Sequence, residues 1–486
     1  MKQILNFING TYQEGSDGRW FDTINPCIGL AHARVSEASQ DDVDRAVSAA
    51  RDALTGPWAQ MTRVERAAMI RAIADEIDRR SDIFLEAEVA DTGKPHSLAG
   101  VVDIPRGAAN FRIFADMIVN LAEHAWPMDT ADGTGALNYS ARSPKGVIGV
   151  ISPWNLPLLL MTWKVAPALA CGNTVVAKPS EETPSTCALL GEVMNAVGVP
   201  PGVFNVVHGF GPGSAGEALT THPEVDAITF TGETRTGEAI TKVAATGARD
   251  VSLELGGKNA ALVFADCDLD AAVEGTLRSS FTNCGQVCLC TERVYVERSI
   301  FDTFVDRLGQ AAKALKPGAP GASDTTIGPL ISAEHRNKVL SYFEKAKAQG
   351  ATVIAGGGVP AISGDYADGF WVEPTIWTGL SEDSSPVREE VFGPVCHIAP
   401  FDSEAEAIGL ANDSPYGLAA VVWTKDLARA HRVSPKLEAG IIWVNTWNLR
   451  DLRTPFGGSK QSGVGREGGV YSLEFYTELK NICIKM

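Results

Sequence analysis

The sequence predicts an α/β protein built on parallel sheets with helices on both faces, and three observations carry that prediction. Short apolar runs at Thr174–Lys178, Val203–Val207 and Asp226–Phe230 are each followed by a segment suited to a helix. These runs are continuously apolar rather than alternating, the pattern of strands buried on both faces. A second series of the same kind runs from about Asn259 to Val444. Strand–helix alternation of this type builds doubly wound, Rossmann-like sheets, whose ligands sit at the carboxyl ends of the strands.

The elements follow in order. Ser39 with Asp42 signals the start of an Ala-rich helix through about Leu54, and Thr62-Arg-Val-Glu65 reads as a capping box for a helix through about Arg79. Residues 126–143 have no helical period and end in the alternation Leu137-Asn-Tyr139-Ser-Ala141, an excursion from the first domain. Helices are expected from Pro184, near Gly216 and after Thr234, between the strands of the first series. The second series is expected to place strands at Ala260–Phe264, Thr291–Glu297, Val372–Trp377, Ala419–Trp423 and Ile441–Val444, and the tail from Ser472 to Met486 reads as extended. No repeat or low-complexity linker divides the chain. The expected organisation is a first domain at 1–125 and 144–255, a second at 256–455, and a small β extension at 126–143 and 470–486.

Composition narrows the function classes. The 486 residues hold 59 Asp and Glu against 42 Lys and Arg, a net charge of −17. That balance counts against non-specific binding to nucleic acid or to an anionic membrane, which needs clustered cations. Hydrophobic content of 45% with 21% charged residues is that of a globular chain and not of a disordered one. The first residues, MKQILNFINGTYQEG, do not read as a signal peptide, and the apolar stretch Leu156–Trp163 is too short to span a bilayer, so a cytoplasmic protein is expected. Nine cysteines are an odd number for a disulfide framework. Cys284, Cys288 and Cys290 crowd together without CxxC spacing or a nearby His, so no metal site is expected.

Several residues suit chemistry. Cys288, after Gly285-Gln286, sits where an exposed turn is expected, and a thiol there is a nucleophile if its pKa is lowered or a base lies nearby. Glu254 closes an apolar strand and precedes Gly256-Gly257, which permit close approach of another group; it is either a solvated strand end or a buried general base. Asn155, bracketed by Pro153 and Pro157, is either a turn residue or a rigid donor to an oxyanion. Lys178 and Glu181 follow a strand at its carboxyl end, where they form a surface pair or grip a ribose. The turn Gly232-Glu-Thr-Arg-Thr-Gly237 would bring helix N–H groups to a pyrophosphate, although it lacks the GxGxxG form.

Taken together, PWNLP (153–157), KPSEETP (178–184), FTGETRTG (230–237), ELGGKN (254–259), GQVC (285–288), EEVFGP (389–394) and PFGGSKQSG (455–463) resemble the aldehyde dehydrogenase superfamily over essentially the whole chain. The resemblance implies an aldehyde dehydrogenase-like fold: a Rossmann-like NAD domain, a second α/β catalytic domain and a β oligomerisation extension. It implies Cys288 as nucleophile, Glu254 as general base and Asn155 as oxyanion donor. It implies NAD as coenzyme, held by Ile151, Ser152, Pro153, Trp154, Lys178, Glu181, Gly211, Phe230, Gly232, Glu233, Thr234, Gly237, Leu255, Glu390 and Phe392. Lys178 and Glu181 would hold the adenosine ribose, with the Glu181 carboxylate disfavouring NADP, and Glu390 and Phe392 the nicotinamide half. A homodimer, or a tetramer built from dimers, is implied as well. The family commonly has Ser where this chain has Glu233, and that carboxylate is expected to point aside from the pyrophosphate.

DIPRGAANF (103–111), LRDLRTPFGGSKQSG (449–463) and SLEFYTELKNIC (472–483) further resemble the members that oxidise 2-hydroxy- or 2-aminomuconic semialdehyde, ring-fission products of aromatics. By that resemblance Arg106 and Arg450 hold the substrate carboxylate; otherwise Arg106 is a surface residue at a helix start and Arg450 a local partner of Asp451. Asn448 stands where an aromatic is usual, and a more polar pocket is expected from it. The rival readings are a broad-range or betaine-type aldehyde dehydrogenase, a Cys hydrolase and a non-catalytic binding protein.

Overall fold

The computed structural model describes residues 1–486. Its first large sheet has eight strands, in the order Gly463–Val464, Asp250–Glu254, Ala227–Thr231, Val147–Ile151, Thr174–Lys178, Phe204–Val206, Asn6–Ile8 and Thr11–Gln13. The five strands from Asp250–Glu254 to Phe204–Val206 are parallel, and the outer ones add antiparallel. Val147–Ile151 is earliest in the chain of those five, with Thr174–Lys178 on one side and Ala227–Thr231 on the other. The strand order reverses there, so the loops leaving these carboxyl ends diverge and open a crevice. All three strands are buried at every position, which is why their sequences are continuously apolar.

The second sheet has seven strands, in the order Thr352–Ala355, Thr375–Thr378, Val395–Phe401, Thr291–Glu297, Asn259–Val263, Ala419–Trp423 and Ile441–Val444. All its pairings are parallel except that of Thr352–Ala355. The chain leaves the carboxyl end of the first sheet at Glu254, crosses through Leu255–Lys258 and enters the second sheet at Asn259. Cys288 lies just ahead of Thr291–Glu297. One sheet's carboxyl edge therefore meets the other's amino edge, with the candidate residues between them.

A third, antiparallel sheet joins Ala125–Met128, Ala136–Pro144 and Thr477–Lys485, and leaves Trp126, Met128, Leu479 and Ile484 exposed. The capping boxes at Ser39/Asp42 and Thr62/Glu65 both form, starting helices Gln40–Ala53 and Arg63–Arg79. Two expectations need correction. The tail is not extended from Ser472 or from residue 470: Gly469–Phe475 is a helix, whose buried Gly469, Ser472 and Leu473, with Tyr476, follow a helical period. The strand expected from Val372 begins at Thr375, after Pro374, which has no N–H for the ladder. No helix is long and apolar enough to cross a membrane.

Candidate active site

A cleft of about 490 Å³ opens between the two sheets, lined by Pro153, Trp154, Asn155, Glu181, Gly232, Glu233, Glu254, Leu255, Cys288, Glu390 and Phe392, among others. Behind Cys288 the chain kinks sharply: Asn283 and Cys284 both occupy the left-handed region, at φ +52° and +58°. Gln286 fixes this kink. Its Nε2 donates to the carbonyls of Asn283 (3.0 Å) and Pro329 (3.2 Å), and its Oε1 accepts from the Ile331 N–H (3.0 Å).

The same loop latches onto Asn155. Asn155 Nδ2 donates to the Gln286 carbonyl (2.8 Å), and Asn283 Nδ2 donates to the Asn155 carbonyl (3.0 Å). A carboxamide has two N–H groups, so one fixes the side chain and the second stays available to a developing oxyanion. Cys284 and Cys290 do not line the cleft and are packed in the second sheet's core.

The thiol is not activated by a lowered pKa. Burial pushes Cys288 up to about 12, with Glu254 and Glu390 adding and Arg450 opposing. The alternative, a base nearby, is present. Glu254 is buried at the end of its strand, both carboxylate oxygens have no partner, and burial followed by the Glu467 charge holds its carboxyl well above the usual range. A carboxylate so displaced is a stronger base than a solvated one. The backbone passes close beside it at Gly457, φ +147°, where a Cβ would sit 2.6 Å from Glu254 Oε1.

Glu467 accepts from buried Lys164 at 2.6 Å, and these two residues were missed by sequence reading. Their signal was there: Lys164 is the one charge in the helix Pro157–Ala170, which is buried at all positions and therefore has no amphipathic period to reveal it.

Around the segments expected to hold the coenzyme, three charges are paired. Lys178 Nζ donates to Glu181 Oε2 at 3.0 Å. Glu233 precedes helix Thr234–Ala244 and is bonded by Arg235 at 3.1 Å, so its charge is offset by a neighbour that sequence reading did not single out. Thr236 and Gly237 N–H groups bond the Glu233 carbonyl, and those of Thr234 and Arg235 remain free for an anion.

Glu390 Oε1 accepts from the Gly257 N–H at 2.8 Å, and a Cβ on Gly256 would lie 2.3 Å from Glu390 Oε2. The two glycines thus admit this carboxylate beside the chain. Burial, then the Glu292 charge, raises Glu390 to about 7. Phe392 meets Trp154 edge-on at 5.4 Å, and His335, also missed, stands 5.3 Å from Trp154. Ile151, Ser152 and Phe230 are buried beneath the cleft rather than in its wall, Gly237 packs under Leu255, and Gly211 lies in a loop outside it.

Outside the cleft wall, Arg106, whose Nε donates to Asn110 Oδ1 at 3.0 Å, and Arg450, whose charge acts on Cys288, share one indole. The Arg450 guanidinium lies 4.3 Å from the Trp163 ring centre and 3.8 Å from that of Phe456, while Arg106 lies 5.6 Å from Trp163. Neither has an acidic partner within ion-pair distance, and Arg450 Nε and Nη2 are buried without any acceptor. The expected alternative, a pair with Asp451, does not form, because Asp451 bonds Arg453 at 2.6 Å. Burial, then the like charge of Arg106, brings Arg450 down to about 9. Asn448 is exposed at φ +55°, a conformation that Asn tolerates far better than an aromatic.

The aldehyde dehydrogenase family profile matches residues 12–482. This chain belongs to the aldehyde dehydrogenase family. It is 65% identical to 2-hydroxymuconic semialdehyde dehydrogenase of Pseudomonas sp. (strain CF600) over 486 residues, 100% of each chain. It is 58% identical to 2-aminomuconic 6-semialdehyde dehydrogenase of Pseudomonas sp., covering 100% of this chain and 99% of that one. The fold matches the NAD+ complex of the Bacillus cereus aldehyde dehydrogenase with a TM-score of 0.96 at 41% identity, over 100% of this chain and 97% of the other. Family membership makes the chain an aldehyde-oxidising enzyme of aldehyde dehydrogenase fold.

Proposed function

We propose that this enzyme oxidises 2-hydroxymuconic semialdehyde, an aldehyde that also carries a carboxylate, to the dicarboxylic acid with NAD+. The observation that supports the substrate is the pair of half-buried, acid-free arginines on Trp163, of which Arg450 keeps Nε and Nη2 buried without an acceptor and its charge acts on Cys288. An unpaired buried guanidinium is costly, and a carboxylate delivered by the substrate removes that cost. The 2-amino analogue presents the same carboxylate to the same arginines.

The residues fit the coenzyme. Lys178 and Glu181 would hold the adenosine ribose, the free N–H groups of Thr234 and Arg235 the pyrophosphate, and Glu390 and Phe392 the nicotinamide half. When bound, NAD+ supplies a hydride acceptor. Cys288 gives up its proton to Glu254 and attacks the aldehyde carbon. The resulting oxyanion takes hydrogen bonds from Asn155 Nδ2 and the Cys288 N–H. Before the Cys288 thioester is hydrolysed, Glu254 passes the thiol proton to solvent; it then takes a proton from the attacking water, and the Cys288 sulfur leaves as the acid is released.

The same reading assigns 1–125 and 144–255 to coenzyme binding, 256–455 to catalysis, and the sheet of Ala125–Met128, Ala136–Pro144 and Thr477–Lys485 to contact between copies in a dimer or tetramer. The exposed Trp126, Met128, Leu479 and Ile484 of that sheet support the last assignment. A cytoplasmic setting accords with a substrate made in catechol breakdown.

The test is NADH formation with 2-hydroxymuconic semialdehyde beside an uncharged aldehyde of equal length. The reading expects kcat/KM about thirtyfold to several thousandfold in favour of the acid, from the ~2–5 kcal/mol of a desolvated charge pair. Equal use of both would return the enzyme to a broad-range assignment.

A further inference from the structure

Glu292 does not line the cleft, yet it holds the part of the cleft wall with the most constrained backbone. It is the second residue of strand Thr291–Glu297 and is buried. Its Oε1 accepts from the Phe392 N–H at 2.9 Å, and its Oε2 accepts from the Val391 N–H at 3.1 Å and from Lys258 Nζ. Lys258 is buried too, and donates to the Pro386 carbonyl at 2.8 Å. One carboxylate therefore receives two consecutive backbone N–H groups and is neutralised by a lysine that also grips the same loop.

The backbone it grips is strained. Phe392 sits at φ +60°, in the left-handed region that a residue with a Cβ occupies at a cost of about 1 kcal/mol or more. This conformation persists only where the surroundings fix it. His335 Nε2 donates to the Phe392 carbonyl at 2.8 Å from the other side, and the ring rests against Trp154. Glu390, two residues earlier, reaches across to the Gly257 N–H. Gly257 and Lys258 are neighbours, so the Lys258–Glu292 pair ties together the two loops that Glu390 spans. A glutamine at 292 could accept through only one oxygen and would leave Lys258 without its counterion.

We propose that Glu292, with Lys258, is a positioning residue for the coenzyme. It imposes the left-handed turn at Phe392, and through that turn it sets Glu390 and Phe392 toward the nicotinamide half. This rests on the reading that these two side chains contact NAD+.

The experiment compares Glu292→Gln with Glu390→Gln and Phe392→Ala. Glu292→Gln is expected to raise KM for NAD+ about tenfold, ~1.4 kcal/mol. Its aldehyde KM, and its coenzyme-free hydrolysis of 4-nitrophenyl acetate through Cys288, should stay within about twofold of wild type, inside the scatter of independent sites. A shift in the two control variants without one in Glu292→Gln overturns the proposal, as does a general loss that includes the esterase reaction. No shift in any of the three overturns the nicotinamide reading and the proposal with it. If Glu292→Gln does not fold, amide exchange in the unaltered protein decides. The Val391 and Phe392 N–H groups should be protected although they lie in a loop, and exchange at open-loop rates contradicts the proposal.

Discussion

The two sides of Cys288 are built on opposite principles. On the side proposed for the coenzyme three charges come already partnered: Lys178 with Glu181, Glu233 with Arg235, Glu390 with the Gly257 N–H. On the side proposed for the substrate they are left open: Arg450 Nε and Nη2 and both oxygens of Glu254 are buried without partners. A ligand that is bound and released unchanged in position needs a preformed frame. Groups that must exchange a proton or receive a charge during the reaction need vacant valences, and the rest of the fold bears the energetic cost. The difference teaches where function costs stability in this molecule.

The comparison is sharpened by substitutions on each side. Cys288→Ala removes the nucleophile and should reduce turnover by about 10⁴-fold or more. Cys290→Ala, packed in the core, should leave the chemistry intact; equal losses in steady-state NADH assays would refute the assignment. Glu254→Gln should cost about 10²–10⁴-fold in turnover. Under stopped flow the first burst of NADH should be suppressed along with turnover, because Glu254 takes the thiol proton as well. A full burst of about one NADH per site followed by a stall would confine Glu254 to the water step. On the paired side effects should be smaller. Glu181→Gln should narrow the preference for NAD over NADP by about tenfold, ~1.4 kcal/mol, in the ratio of kcat/KM values. An unchanged ratio would place coenzyme selection elsewhere.

Legibility in the sequence followed the same divide between local and long-range information. Asn155 between prolines, Glu254 before two glycines and Cys288 after Gly285-Gln286 stand in contiguous motifs, and the structure brings all three to one cleft. The parallel strands were legible because burial on both faces leaves continuous apolar runs. What was not legible depends on partners far away in the chain. Glu292 looks like an ordinary charged residue at the start of a strand until residues 391 and 392 fold onto it. Lys164 and Glu467 are 303 positions apart, and only the fold pairs them. The helix Gly469–Phe475 was misread because its short period is set by Gly469 and Ser472, residues that carry little hydrophobic signal.

The most direct test of the central claim, that Arg450, with Arg106 beside it on Trp163, awaits a substrate carboxylate, is the selectivity of Arg450→Ala. Steady-state kcat/KM would be measured for 2-hydroxymuconic semialdehyde and for the uncharged aldehyde in both enzymes. The account predicts that the variant loses about thirtyfold to several thousandfold with the acid while the neutral aldehyde changes by only a few-fold. Equal changes for the two substrates would show that Arg450 serves the fold and not the carboxylate.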